Sequence, residues 1–107
     1  LPRFSVSGVP FHGVMSIVYR ILYHPKVLKQ DIVSLESEAK RRIRRAIEEK
    51  LMTQPDLFGV PLRRSLKGYR KLRVGDYRVV FCLRGENVFV LAILHRSVVY
   101  EVMNKRG

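Results

Sequence analysis

The chain has 107 residues, of which 21 are lysine or arginine and 9 are aspartate or glutamate, giving a formal net charge of +12. Its apolar content of 47% excludes a disordered basic tail. The single cysteine, Cys82, excludes an internal disulfide and favours the reducing cytoplasm. No apolar run reaches the roughly 18 residues that span a bilayer, so we expect a soluble protein. A folded domain this basic usually binds a polyanion, either nucleic acid or an anionic membrane surface.

Residues 1–14 carry neither a helical nor a strand pattern, and they lack the charged start and apolar core of a signal peptide. The first patterned stretch opens at Met15. We therefore expect residues 1–14 to be a leader or an added extension, and residues 15–107 to form a single domain.

Strand and helix patterns then follow in order. Residues 16–23 alternate as a strand does, and Pro25 suits the first residue of a short helix. A second, longer helix is predicted with Ser34 as its N-cap. Its apolar stripe has helical spacing. The stripe consists of Leu35, Ala39, Ile43, Ile47 and Leu51.

The rest of the chain predicts strands. Residues 53–68 form a loop, residues 69–83 a hairpin and residues 84–87 a second turn. The continuous apolar run at 88–94 is typical of a central strand covered on both faces, and residues 98–103 form a closing helix or strand. The expected fold is α+β: an N-terminal strand, an antiparallel helical pair, and a three- to four-stranded antiparallel sheet with helices on one face.

The hairpin is the stretch on which the functional prediction depends. Gly75 suits the first central position of a type II′ turn, which needs a positive φ. Side chains alternate along a strand, so Leu72 lies on one face while Lys71 and Arg73 lie on the other. Arg78 likewise projects away from its buried neighbours. The hairpin is therefore predicted to present a row of cations on one side of the sheet.

Further cations are candidates for binding nucleic acid, although a solvated helix face is an equally good interpretation of the helical ones. Those of the second helix are Arg41, Arg42, Arg44 and Arg45. Those of the loop and the hairpin are Arg63, Arg64, Lys67 and Arg70.

Several kinds of site are not predicted. The three histidines and one cysteine have no metal-ligand spacing, and no glycine-rich loop has the form that binds a nucleotide phosphate. Asp and Glu are too few and scattered for a glycosidase pair. We therefore predict no metal and no cofactor.

Two segments carry a family resemblance. Residues 69–81 (YRKLRVGDYRVVF) resemble the signature hairpin of the RelE/ParE toxin superfamily, and residues 95–100 (HRSVVY) resemble its closing motif. The preceding helical pair fits as well, so the resemblance extends from Ser16 to about Met103. It implies a toxin of a type II toxin–antitoxin system, held inactive by a cognate antitoxin protein.

The two branches of the superfamily imply different targets. The RelE branch implies a ribosome-dependent endoribonuclease (an mRNA interferase), a hydrolase-class enzyme that cuts mRNA in the decoding site and inhibits translation. The ParE branch implies inhibition of DNA gyrase without nuclease chemistry. A non-catalytic module that binds RNA or the ribosome is a third possibility, for which charge and fold suffice.

The RelE-type interpretation assigns catalytic positions by resemblance. They are Lys71, Arg73, Arg78, Arg96 and Tyr100. Lys71 and Arg73 match a pair on the strand before the turn, and a one-residue ambiguity in that match could bring in Arg70 instead. Arginine makes a poor base because it keeps its proton, so Lys71 is the candidate proton acceptor. Arg78 would stabilise charge on the phosphate. His95 is more often structural at the end of a strand, but it also has the chemistry of an acid or base.

Overall fold

A computed structural model describes residues 5–7, 18–62 and 68–106. The strands are β1 (Ser5–Ser7), β2 (Arg20–Tyr23), β3 (Val60–Pro61), β4 (Arg70–Val74), β5 (Tyr77–Arg84) and β6 (Asn87–His95). The helices are α1 (Val27–Asp31, a π-helical turn), α2 (Ser37–Ala46, continued by the π-helical turn Ile47–Leu51) and α3 (Val99–Arg106). None of the described helices is long and apolar enough to cross a membrane.

The six strands form one mixed sheet in the order β1-β2-β6-β5-β4-β3. All neighbours are antiparallel except β2 and β6, which are parallel. The predicted α+β class and element order are confirmed, and residues 99–106 resolve the open choice at the closing segment as a helix. Strand β1 lies within residues 1–14, for which no regular structure was predicted, and pairs with β2.

The larger core lies between the sheet and the first two helices. Of the predicted stripe, Ile43, Ile47 and Leu51 of α2 are buried against inward-facing residues of the strands, and so is Leu35, which lies just before the helix. Phe81 is the largest fully buried side chain of the described residues, and it belongs to this core. We call this side of the sheet the helical face.

The opposite side of the sheet is covered by α3. Val99 and Met103 of that helix pack on Val80, Ala92 and Leu62 in a second, smaller cluster. We call this side the α3 face. Strand β6 contributes to both clusters, which explains why its sequence is apolar without alternation.

Two helix boundaries test the sequence predictions. Helical backbone begins at Pro25 as expected. Ser34, however, does not cap α2: its hydroxyl donates to the carbonyl oxygens of Gln30 (3.0 Å) and Asp31 (3.1 Å), which end α1. The N-cap position of α2 is Glu36. The prediction was wrong because a serine can bond either to the carbonyls behind it or to the amides ahead of it.

Candidate functional site

The β4–β5 hairpin places three of the predicted catalytic cations on the α3 face. Gly75 has a φ of +59°, and the resulting register sets Arg73 opposite Arg78 and Lys71 opposite Val80. Val80 belongs to the cluster beneath α3. Because strand side chains alternate, Lys71, Arg73 and Arg78 share that face.

Helix α3 brings Tyr100 to the same place. The Lys71 ammonium lies 5.3 Å from the centroid of the Tyr100 ring, within the range of a cation–π interaction. Tyr100 lies in the first turn of α3 beside the buried Val99, so packing of the helix fixes the position of the ring. The fold thus brings together two residues that are 29 positions apart in the chain.

Arg78 is held by its own hairpin. Its Nη1 donates to the carbonyl oxygens of Gly75 (2.9 Å) and Tyr77 (2.8 Å). These bonds fix the direction of the guanidinium before any ligand arrives. Arg73 lies directly across the hairpin, and among the described residues no acidic side chain pairs with either arginine. Two like charges facing each other destabilise a sheet.

Arg96 and His95 lie at the end of β6, close to the hairpin turn. The Arg96 amide donates to the Asp76 carbonyl oxygen (2.8 Å), and its guanidinium lies 3.9 Å from the exposed Asp76 carboxylate. The His95 ring packs edge-on against Tyr77 with 5.8 Å between centroids. Its Nδ1 accepts from the Ser97 amide at 3.2 Å. Tyr77 packs against the helical core, so His95 lies on the helical face.

The alternative between Arg70 and Lys71 has a geometric answer. Arg70 pairs with Phe81, which belongs to the helical core, and its Nη1 donates to the Asp56 carbonyl oxygen at 3.1 Å. Arg70 therefore lies on the opposite side of the sheet from Tyr100, whereas Lys71 contacts Tyr100.

The helical cations are separated from these residues by the sheet. Arg41, Arg42, Arg44 and Arg45 are all exposed on α2, which covers the helical face. Arg44 lies 3.9 Å from Glu48, and the Arg42 guanidinium lies against Gly75. Arg63, Arg64 and Lys67 lie outside the described residues.

A groove on the helical face is lined by both apolar and basic side chains. It measures about 510 Å³, and apolar residues of α1 and α2 line it together with Lys40, Arg41 and Arg44. Its apolar lining includes Leu28, Ile32, Ile43, Ile47 and Ile93. Among the described residues, no cluster of His, Cys, Asp and Glu could hold a metal ion. Separately, burial of Cys82 raises the pKa of its thiol.

One buried polar site was missed from the sequence. Asp31 and Arg106, 75 positions apart, form a bidentate ion pair with Nη1–Oδ2 and Nη2–Oδ1 distances of 2.7 and 3.1 Å. A faint signal existed: Asp31 stands four residues after Val27, at the spacing of a buried helical side chain. Nothing in the sequence indicated its partner.

The chain is similar to one protein family and to solved structures of toxin–antitoxin complexes. The family profile of the ParE toxin of type II toxin–antitoxin systems matches residues 21–100. Among solved structures, the RelBE2 toxin–antitoxin complex from Mycobacterium tuberculosis contains a similar chain: 24% identity, TM-score 0.67, covering 76% of this chain and 94% of that one. The RelB–RelE complex from Methanococcus jannaschii gives 21% identity, TM-score 0.57, and coverage of 74% and 94%.

A comparison with curated protein sequences finds no match. The two structural neighbours share the fold, and the family profile covers most of the chain, including the hairpin, β6 and Tyr100. The chain therefore belongs to the ParE toxin family, within the RelE/ParE superfamily of toxins from type II toxin–antitoxin systems.

Proposed function

We propose that this toxin is a ribosome-dependent endoribonuclease that cleaves mRNA and inhibits translation in the cytoplasm. One observation carries the proposal: the Lys71 ammonium lies on the Tyr100 ring, on the face where Arg73 and Arg78 stand opposite each other. Two facing arginines with no acidic partner among the described residues destabilise an isolated sheet, but they suit a phosphate that neutralises both charges.

The residues supply the parts that RNA cleavage needs. The ribose 2′-oxygen loses its proton and attacks the adjacent phosphorus as the P–O5′ bond breaks, leaving a 2′,3′-cyclic phosphate. The departing 5′-oxygen takes up a proton from the newly protonated base or from water and becomes a free 5′-hydroxyl. Lys71, in its neutral amine form, is the candidate acceptor for the 2′-OH proton, because the arginines keep their protons. Arg78, already fixed by the hairpin carbonyls, stabilises the charge that develops on the phosphate oxygens. Tyr100 orients the 2′-OH or shares its proton.

The family name supports a second candidate function. The matching profile describes ParE toxins, so inhibition of DNA gyrase remains the competing hypothesis. In that case the cations of the α3 face would contact protein or DNA. The function would not require Lys71 to lie close to Tyr100.

Two assays on the same purified toxin separate these functions. We expect truncation of mRNA on programmed ribosomes and unchanged supercoiling by gyrase. Loss of supercoiling with intact mRNA would establish the ParE-type activity instead. Ribosome binding without cleavage would establish the non-catalytic module.

We propose that the partner is an acidic, amphipathic antitoxin segment that docks in the groove of the helical face. The complexes from Mycobacterium tuberculosis and Methanococcus jannaschii each contain an antitoxin. Here an apolar groove edged by Lys40, Arg41 and Arg44 offers buried area for a helix and opposite charge for its acidic side.

Co-purification with the cognate antitoxin tests this docking site. We expect Arg41→Glu with Arg44→Glu to abolish the complex and Arg78→Ala to leave it intact. Loss of the complex on changing Arg78 alone would place the antitoxin over the α3 face instead.

A further inference from the structure

The Asp31–Arg106 ion pair is buried to an unusual degree for charged groups. The two side chains are only 4% and 7% exposed respectively. They join the first helix to the last: Asp31 ends α1, and Arg106 is the final residue of α3. A bidentate pair of this kind fixes both distance and orientation.

The pair also occupies an open stretch of β6. Strand β2 pairs with β6 only as far as Val90, and the register of β5 against β6 shifts at Leu91. Beyond that point the Ile93 amide donates to Asp31 Oδ2 (2.9 Å), and the Leu91 carbonyl oxygen accepts from Arg106 Nη1 (3.1 Å). Side chains thus satisfy backbone groups that a neighbouring strand would otherwise bind.

In its last turn, helix α3 is held by the buried Met103 and by the Arg106 ion pair. It is eight residues long, and its buried apolar side chains are Val99 and Met103. Tyr100 lies six residues before Arg106, about 9 Å along the helix axis. A shift of the last turn therefore tilts the whole helix and moves the Tyr100 ring relative to Lys71, which is fixed in β4.

We propose that Asp31 and Arg106 are positioning residues: they hold α3 in the orientation that keeps Tyr100 on Lys71. The effect of this positioning on catalysis rests on the proposed nuclease function. The placement of the ring does not, and it can be measured on the toxin alone.

The first measurement is by NMR on the purified toxin. The Lys71 side-chain protons near the Tyr100 ring carry a ring-current shift, which a Tyr100→Leu reference removes. We expect Arg106→Lys, which keeps the charge but loses the two-point contact, to remove most of that shift and to speed amide exchange in α3. Lys105→Met is the matched control, because Lys105 is an exposed cation in the same turn. It should change neither.

The second measurement is single-turnover cleavage on programmed ribosomes. Misplacement of a reacting group by about 1 Å costs up to about a hundredfold in rate, so we expect Arg106→Lys to slow cleavage tenfold or more. In a Tyr100→Phe background the same change should have little further effect, because Arg106 acts through the tyrosine hydroxyl.

The outcomes separate the two proposals. An unchanged Lys71 shift in Arg106→Lys, or equal slowing in both backgrounds, would overturn the positioning role. A wild-type toxin that shows the ring-current shift but cleaves nothing would overturn the nuclease function and leave the positioning role standing. If Arg106→Lys does not fold, the double variant Asp31→Asn, Arg106→Gln removes both charges together and is measured in the same way.

Discussion

Two lysines of this toxin lie over aromatic rings at the same distance, on opposite faces of the sheet. The Lys71 ammonium is 5.3 Å from the Tyr100 centroid, and the Lys50 ammonium is 5.3 Å from the Phe58 centroid. Lys50 is preceded by Glu48 and Glu49, and the Phe58 ring beneath it has no hydroxyl. Lys71 is flanked by the facing pair Arg73 and Arg78. The proposed site at Lys71 therefore rests on the surroundings of this contact and not on the contact alone.

The same contrast extends to the two faces as wholes. The helical face holds the larger core, with the stripe of α2 and the fully buried Phe81. The α3 face has a small cluster and carries the cations of the hairpin. We infer that the first face supplies most of the stability, whereas the second carries the proposed nuclease site, so substitutions on the two faces should have different effects.

The largest effect is expected from Phe81→Ala. The side chain has no exposed surface, and removing a buried phenylalanine typically costs about 3–5 kcal/mol of unfolding free energy. Urea denaturation measures the loss. Val33→Ala, at a side chain that is 68% exposed, is the control and should cost little. A small effect at Phe81 would contradict the assignment of stability to the helical face.

Arg78→Ala should leave folding nearly unchanged and slow cleavage on the ribosome by about a hundredfold, or about 3 kcal/mol, the scale of one preorganised donor. Arg78→Lys should restore little, because an ammonium cannot make the planar two-point contact. The matched control is Arg84→Ala, an exposed arginine of the same strand. If Arg84→Ala slows single-turnover cleavage as much, the effect reflects general charge and not the position of Arg78.

Two glycines test how tightly the residues around Phe81 are packed at the edge of the helical core. Gly59 has a φ of +104°, and a Cβ there would lie 2.7 Å from Phe81 Cζ. Gly68 has a φ of +88° with nothing within 4 Å of such a Cβ. Both alanine variants carry backbone strain on the order of 1–3 kcal/mol. Gly59→Ala should be the less stable in thermal unfolding, because it also displaces Phe81. Equal losses of thermal stability in the two variants would mean that the Phe81 ring moves aside without cost.

The smallest effect concerns pH. Burial lowers the pKa of His24, and Arg106 and Lys26 lower it further against the opposing influence of Asp31. The unfolded chain, with an ordinary histidine pKa of about 6.5, then binds a proton more readily than the folded chain. Stability is therefore full above that pKa and falls as the pH drops below it. Urea midpoints between pH 8 and 5.5 should fall less in His24→Asn than in the wild type.

Much of this architecture follows from local pattern. The α2 stripe, the Gly75 turn and the alternation of Lys71 with Leu72 predicted the helical core, the hairpin and the cationic face. The continuous apolar run of β6 was explained once both of its faces proved to be covered.

What could not be predicted depends on distant contacts. Strand β1 has three residues and exists by pairing with β2, and the Asp31–Arg106 pair joins residues 75 positions apart. Ser34 had two sets of backbone partners within reach, and only the course of the chain decides between them. That Lys71 and Tyr100 belong to one site was expected from the family resemblance alone. No periodicity in the sequence relates a residue of β4 to a residue of the helix that follows β6.

The most direct test of the central claim uses the two lysines with which the comparison began. Lys71→Met and Lys50→Met each remove one ammonium from an aromatic ring, on opposite faces of the sheet. The measurement is single-turnover cleavage of mRNA on programmed ribosomes at saturating toxin. The α3-face site predicts a loss of about a hundredfold or more for Lys71→Met and near wild-type cleavage for Lys50→Met. Equal rates for the two variants would contradict it.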